Sequence, residues 1–305
     1  MKEEREVHGR YVNILTDAGF KAVFGDRRNA DLLREFLNVV LPGGRKVESL
    51  EFSTTEIPGF TPEHRSIRLD LRCRDKDGTT FIVEMQKYRQ IDMFKRCVSY
   101  AAKAYDAQMV LEKGSYDIHP VYLVGILADD FYHTGSGWED THVSNYTFLE
   151  RRTHELLCET ISITFVELKR FGKPLDSCNS LIDKWCYVLK HVGNLDGRPD
   201  GLGQRVFERF FEACEIARFD GDKKLSYERE MITERDWRAI KECAREDGRA
   251  EGMEEGMAKG MAKGAMEAKM QIALKMLEMG MPVSDISEAT GLDLEQVEDM
   301  RKSAE

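Results

Sequence analysis

The sequence lacks the motifs that define several common classes of enzyme. No two of its histidines stand in H-x-x-H or H-E-x-x-H spacing and its seven cysteines form no C-x-x-C pair, which argues against a zinc hydrolase. No Walker-type glycine loop is present, which excludes nucleotide-driven motors. The cysteines are odd in number and scattered, a pattern typical of reduced thiols in the cytosol rather than of a disulfide framework.

Long apolar segments are also missing. The longest strongly apolar run, residues 121–128, is far shorter than the roughly 20 residues that a membrane helix needs. The first residues, MKEEREVHGRYVN, contain no apolar stretch like that of a secretory signal. We therefore expect a cytoplasmic protein with no membrane partner.

The sequence does contain ample material for a folded core, together with an excess of acidic residues. Of its 305 residues, 42% are hydrophobic and 33% are charged. The formal charge of −10 argues against binding of polyanions by the whole surface. A local basic groove remains compatible with that charge, because acidic segments elsewhere can mask it in the sum.

The spacing of apolar residues changes several times along the chain. Residues 17–41 have the helical period, with a break at Gly25-Asp26, and a helical period returns at 91–111. Before and after the helical segment 91–111, the apolar patterns are those of strands, at residues 50–57, 66–74, 79–87, 121–127, 143–149 and 159–168. The order of helix, three strands, helix and strand predicts an α/β core.

After residue 169 the pattern becomes helical. We expect three regions: a core at 1–172, a helical extension at 173–245 that packs on or beside the core, and a C-terminal part at 246–305. Within that last part a glycine recurs at every fourth position between Gly248 and Gly264, here called the glycine stripe, and each glycine costs a helix about 1 kcal/mol relative to alanine.

The most informative chemistry lies in the hairpin of the second and third predicted strands. Residues two apart in a strand share a face, so Glu84 and Gln86 point to the same side, and a short turn can bring Asp70 beside Glu84. We expect the two carboxylates within about 4–6 Å of one another, close enough to share an ion such as Mg²⁺ or Mn²⁺ and to perturb each other's pKa. The alternative is that both are ordinary solvent-facing carboxylates of half-buried strands.

The order αβββαβ with these residues resembles the PD-(D/E)XK nuclease superfamily, and the chain is similar in particular to the recombination-promoting nuclease and transposase family of bacteria. This resemblance covers nearly the whole chain. The matching stretches are DAGFKAVFG at 17–25, Leu69-Asp70-Leu71, Val83-Glu84-Met85-Gln86, the series Arg96, Tyr100, Tyr105 and Gln108, FVELKRF at 165–171, and Asp183-Lys184-Trp185.

The resemblance implies a restriction-endonuclease-like core with a mixed sheet, and a Mg²⁺- or Mn²⁺-dependent DNA endonuclease linked to recombination or mobile-element activity. Asp70 and Glu84 would be the metal ligands, with the Met85 backbone carbonyl as a third. Gln86 stands where the superfamily usually has lysine, and glutamine cannot supply a positive charge or deprotonate a water. The alternative is a DNA-binding or oligomeric scaffold whose catalytic site has decayed.

Two further groups of residues are candidates for contacts with DNA. Asp17 and Lys21 share a helix face and either form a surface ion pair or border the site, where Lys21 would contact a phosphate. Arg96, Tyr100 and Lys103 share another face and, with Arg68, either line a basic groove or are simply solvated.

The C-terminal residues 283–300 have the outline of a helix-turn-helix, with a turn at Gly291-Leu292-Asp293. The second helix carries Glu295, Glu298 and Asp299, which phosphates would repel, so we expect a packing or self-association module rather than a DNA-reading head. The glycine stripe before it favours close approach of another helix and hence a homo-oligomer, and the alternative is a flexible hinge.

Overall fold

The structure is a computed structural model that describes residues 9–58, 66–90, 92–109, 118–129, 137–138 and 141–304. Contacts divide the chain into two units, Met1–Met231 and Ile232–Glu305. The first unit contains β-sheet and helices, and the second unit is helical.

The first unit is built on a mixed sheet. Six strands pair in the order β1-β4-β5-β6-β8-β7, with β5, β6 and β8 parallel and β1, β4 and β7 antiparallel to their neighbours. The short strands β2 and β3 pair separately. The strands are β1 Glu51–Phe52, β2 Glu56–Ile57, β3 Ile67–Arg68, β4 Leu71–Arg74, β5 Thr80–Gln86, β6 Val121–Leu127, β7 Val143–Thr147 and β8 Ile161–Glu167.

Helices cover both faces of this sheet. Those of the first unit are α1 Asp17–Phe24, α2 Ala30–Val40, α3 Met93–Asp106, α4 Leu181–His191, α5 Arg205–Cys214 and the start of α6 Gly221–Glu278. Within β5, Phe81, Val83 and Met85 join a hydrophobic cluster with α1, α2, α4 and α5, whereas Ile82 joins a second cluster with α3. The predicted α/β fold with a mixed sheet and a helical C-terminal region is confirmed, and it is consistent with a restriction-endonuclease-like fold.

The central strand β6 is buried at every position, as its continuous apolar run predicts for a strand covered on both faces. The first two predicted strands are each interrupted, because β2 and β3 leave the main sheet and pair with one another. The chain bends at Asp70 between β3 and β4, a break that periodicity alone does not show. Helix α6 begins at Gly221, inside the helical extension predicted at 173–245.

The second unit ends in the predicted helix-turn-helix outline. Helices α7 Val283–Thr290 and α8 Leu294–Ala304 flank Gly291, whose φ of 65° is the left-handed conformation that glycine adopts without strain. Both helices pack with the end of α6 around Ala273, Ile286, Leu292 and Val297. None of the described helices, α6 included, has an apolar stretch that could span a bilayer.

Candidate active site

The site begins where the β4–β5 ladder ends. Leu71 pairs with Val83, and beyond that pair side chains take over from the backbone ladder. The Asp70 N–H donates a hydrogen bond of 3.1 Å to Glu84 Oε1, and the Met85 N–H donates one of 2.9 Å to Asp70 Oδ2. These two bonds lock both carboxylates at one strand end.

Burial makes this pair of carboxylates electrostatically unusual. Glu84 is 4% exposed, and burial together with the negative charge of Asp70 raises its pKa to about 8. Burial also raises the pKa of Asp70, although the Met85 N–H and the Lys21 ammonium oppose the rise. In the absence of a cation, the pair therefore resists carrying two negative charges near neutral pH.

Lys21 connects α1 to this pair. Its ammonium lies 2.6 Å from an oxygen of Asp17 and 3.6 Å from an oxygen of Asp70. Although burial opposes the charged form, the hydrogen bonds and charges of Asp17 and Asp70 raise the pKa of Lys21. The side chain that the i,i+4 spacing places beside Asp17 thus also reaches the carboxylate pair.

The parallel pairing of β5 and β6 sets the direction of the Met85 carbonyl. The Ala128 N–H donates to the Gln86 carbonyl at 2.9 Å, so the backbone groups of Gln86 face β6. Because backbone groups alternate along a strand, the Met85 carbonyl faces the β4 side, where Asp70 lies. A carbonyl and two carboxylates are therefore available at the same strand end.

Gln86 is half-buried at the end of β5, on the same face of the sheet as Glu84. It lines a small cleft together with Tyr88, Arg89, Gln90, Met93, Leu127 and Asp129. Its amide can donate and accept hydrogen bonds there without adding a charge.

Helix α3 brings further polar residues towards the site. Its buried face, formed by Met93, Cys97, Ala101 and Ala104, leaves Arg96, Tyr100 and Lys103 on one flank. The Arg96 guanidinium donates to the Tyr100 hydroxyl at 3.2 Å, and its positive charge partly opposes the rise in the pKa of Glu84.

The cations on the strands are arranged differently. Arg68 is exposed on β3, where it pairs in register with Glu56. Arg72 of β4 is half-buried, and burial followed by the charge of Arg74 lowers its pKa. Its side chain has no hydrogen bond or ion pair to any other described residue.

The donor set is compatible with a hard divalent cation. No group of three or more His, Cys, Asp or Glu side chains suited to a metal occurs in the described ranges. Two carboxylates and one carbonyl nevertheless fit Mg²⁺ or Mn²⁺, which bind oxygen ligands, and Mg²⁺ usually retains several waters.

Sequence analysis missed three residues that support the site from α6. Glu230 accepts hydrogen bonds from the N–H groups of Asp17 and Ala18, Tyr227 accepts one from the Asn13 N–H, and Lys223 contacts the end of α1. More than 200 residues separate Glu230 from Asp17 in the chain, so no local pattern signals this contact.

A model of a known protein family matches most of the chain. The model of a family described as PD-(D/E)XK nuclease family transposase matches residues 14–244. The matched part contains every candidate site residue named above and stops before the glycine stripe. Comparisons with curated proteins and with solved structures give no match.

Proposed function

Since this chain belongs to the PD-(D/E)XK nuclease family transposases, we propose that it is a metal-dependent endonuclease that hydrolyses phosphodiester bonds of DNA. Family membership by itself supports a nuclease or mobile-element role. The observation that carries the finer proposal is the pair formed by the buried Glu84 and the half-buried Asp70, in which each carboxylate accepts a hydrogen bond from a backbone N–H at one strand end. A cation would stabilise such a pair.

Asp70, Glu84 and the Met85 carbonyl would hold Mg²⁺ or Mn²⁺. The bound ion would lower the pKa of a water and neutralise charge that develops on the phosphate. Asp70 and Glu84 would be fully ionised in that state, since a nearby positive charge favours the carboxylate form.

The protein's own side chains would orient the reactants. Gln86 would accept a hydrogen bond from the attacking water or donate one to a phosphate oxygen, but it would not remove the proton of the water. Lys21 would contact the phosphate with the positive charge that Gln86 lacks, and Asp17 would hold the Lys21 ammonium in place.

DNA would approach across the flank of α3 and the neighbouring strands. Arg96, Tyr100, Lys103 and Arg68 would contact its backbone, and the half-buried Arg72 offers a further cation. Phosphate contacts of this kind bind DNA without reading its sequence. The cleavage would serve recombination or the movement of mobile elements.

A second function has one observation in its favour. Gln86 replaces the lysine usual in the superfamily, as expected of a DNA-binding or oligomeric scaffold whose site has decayed. Both carboxylates are present, with Glu84 buried and Asp70 half-buried, and for that reason the nuclease is the first proposal.

A plasmid-nicking assay distinguishes the two functions. We expect supercoiled plasmid to be nicked with Mg²⁺ or Mn²⁺, and chelator to abolish nicking. Asp70→Asn and Glu84→Gln should each lower the rate at least 100-fold, as loss of groups that stabilise a transition state does. Nicking that survives both substitutions would assign the activity to another site or to a contaminant. No nicking with either metal would favour the scaffold.

A further inference from the structure

The start of α6 holds α1 by both ends. At the N-terminal end of α1, the Glu230 carboxylate accepts hydrogen bonds from the N–H groups of Asp17, at 2.8 Å, and Ala18. At the C-terminal end, Lys223 Nζ donates to the Ala22 carbonyl at 3.2 Å and forms an ion pair with Asp26. Because Lys223 precedes Glu230, the two helices run in opposite directions here.

Each of these contacts matches what a helix end requires. The first N–H groups and the last carbonyls of a helix have no partner within the helix, and its dipole favours an anion at the start and a cation at the end. Helix α1 has eight residues, and isolated helices of that length are marginal in water. Core packing of Phe20, Val23 and Phe24 therefore holds the helix in place, and the contacts with α6 hold its two ends.

Helix α1 carries Lys21, the lysine that forms an ion pair with Asp70. Lys21 lies one turn after Asp17, whose N–H is bonded to Glu230, and its ammonium reaches Asp70 at 3.6 Å. We infer that Glu230 is a positioning residue, which holds the first turn of α1 so that Lys21 stands beside Asp70. This inference rests on the proposed function in taking Lys21 as a contact to the phosphate.

The chemical reactivity of Lys21 measures its position without any need for cleavage. Reductive methylation followed by peptide mass spectrometry gives its rate relative to Lys95, whose side chain is 85% exposed. We expect Glu230→Ala to raise the relative methylation rate of Lys21 several-fold, because the ammonium would move away from the carboxylates of Asp17 and Asp70. Glu230→Gln should lie between Glu230→Ala and the wild type, since its single amide oxygen can accept only one of the two hydrogen bonds that the two carboxylate oxygens accept.

A matched control lies on the same helix. Glu228 is half-buried and its side chain has no hydrogen bond or ion pair to any other described residue, so Glu228→Ala should leave the reactivity of Lys21 unchanged. In the nicking assay, Glu230→Ala should lower kcat roughly 10-fold to 100-fold, as a small misplacement of a catalytic group does. The KM should change much less than kcat. Glu230→Gln should recover only part of the loss in kcat, because it keeps one of the two acceptor oxygens.

The outcomes separate the inference from the function on which it rests. If folded Glu230→Ala shows wild-type reactivity at Lys21, the positioning role is wrong whether or not the protein cleaves DNA. If the reactivity changes as expected but the wild type nicks no plasmid, the positioning of Lys21 is supported and only the nuclease proposal fails. An equal effect of Glu228→Ala would also overturn the inference, because it would reflect general loosening of α6.

Discussion

At the scale of single residues, Asp70 and Glu84 depend on each other. Each carboxylate accepts a hydrogen bond from a backbone N–H beyond the end of the β4–β5 ladder, and burial with mutual repulsion opposes their double ionisation. A group whose pKa is raised by folding binds protons more tightly in the native state, so it stabilises the protein at low pH. This coupling is measurable without DNA.

We expect the chelator-treated protein to become less stable as the pH rises from 4.5, the ordinary pKa of glutamate, to about 8. In that range the native state binds more protons than the unfolded state, so the free energy of unfolding falls with pH. Asp70, whose pKa is also raised, adds to the effect in the same direction. Urea unfolding at a series of pH values tests this.

Glu84→Gln is the matched variant for that measurement. It cannot titrate, so its unfolding free energy should depend less on pH and should exceed that of the wild type near pH 8 in chelator, if the amide keeps the bond from the Asp70 N–H. Saturating Mg²⁺ should restore stability to the wild type near pH 8, because binding to the native state alone stabilises it. An unchanged pH dependence in Glu84→Gln would contradict the raised pKa.

At the scale of elements, α3 combines packing with a polar flank. Its buried face lies on β6 and β8, and the flank with Arg96 and Tyr100 is close enough to Glu84 for the charge of Arg96 to act on it. We therefore expect Arg96 to contact the DNA backbone near the carboxylate pair.

Arg96→Ala should weaken binding of a short DNA duplex several-fold and reduce the slope of log K against log[salt] by about one. Fluorescence anisotropy at several salt concentrations, with chelator present, measures both quantities. Lys95→Ala is the neighbouring control, since Lys95 is exposed and pairs with Asp92. If both variants weaken DNA binding equally, the total positive charge of α3 attracts DNA and Arg96 makes no specific contact with a phosphate.

Helix α6 carries the glycine stripe, and no described residue of this chain covers it. An added Cβ would meet nothing within 4 Å at Gly248, Gly252, Gly256, Gly260 or Gly264, and the neighbouring Met253, Met257 and Met261 are 74%, 67% and 69% exposed. These observations are compatible with the proposed approach of another helix and also with a hinge.

Alanine substitutions separate the two possibilities. Gly256→Ala and Gly260→Ala should each stabilise α6 by about 1 kcal/mol, because no described residue lies within 4 Å of the added methyl group. We also expect them to reduce self-association, since the added Cβ atoms block close approach of a second helix. Circular dichroism and light scattering measure the two effects, and an unchanged mass with higher helicity would indicate a hinge.

At the scale of the whole molecule, the family match and the division of the chain nearly coincide. The matched part ends at residue 244, and the second unit begins at Ile232. On α8, three acidic side chains are exposed to solvent: Glu295, Glu298 and Asp299. We propose that residues 246–305 serve self-association and that the remaining chain, with the core at 1–172 and the extension at 173–245, binds DNA.

Truncation after Arg245 tests this division of roles. We expect the shortened protein to have a lower oligomeric state by light scattering, because it lacks the glycine stripe and both terminal helices. Its affinity for short duplex DNA should remain within about 2-fold, since all the proposed phosphate contacts belong to the part of the chain that is kept. An unchanged mass together with lost DNA binding would identify the C-terminal part as a DNA contact.

The sequence by itself determined the class of fold and the identity of the candidate residues. Alternation around Glu84 and the continuous apolar run of β6 are local patterns, and local patterns specify strands because side chains alternate with period two. The helix-turn-helix outline was likewise predictable, because Gly291 marks a helix end. The roles of Asp70, Glu84 and Gln86 stay predictions.

Only the tertiary structure decided how these residues meet. The hydrogen bonds of Asp70 with Glu84 and with Met85 require the bend before β4. The contact of Lys21 with Asp70 requires α1 to lie beside β4, and Glu230 reaches α1 across more than 200 residues. Contacts between segments so distant in the chain depend on packing of the whole first unit, and no periodicity or spacing encodes them. The raised pKa of Glu84 follows from that packing, since burial is its largest cause.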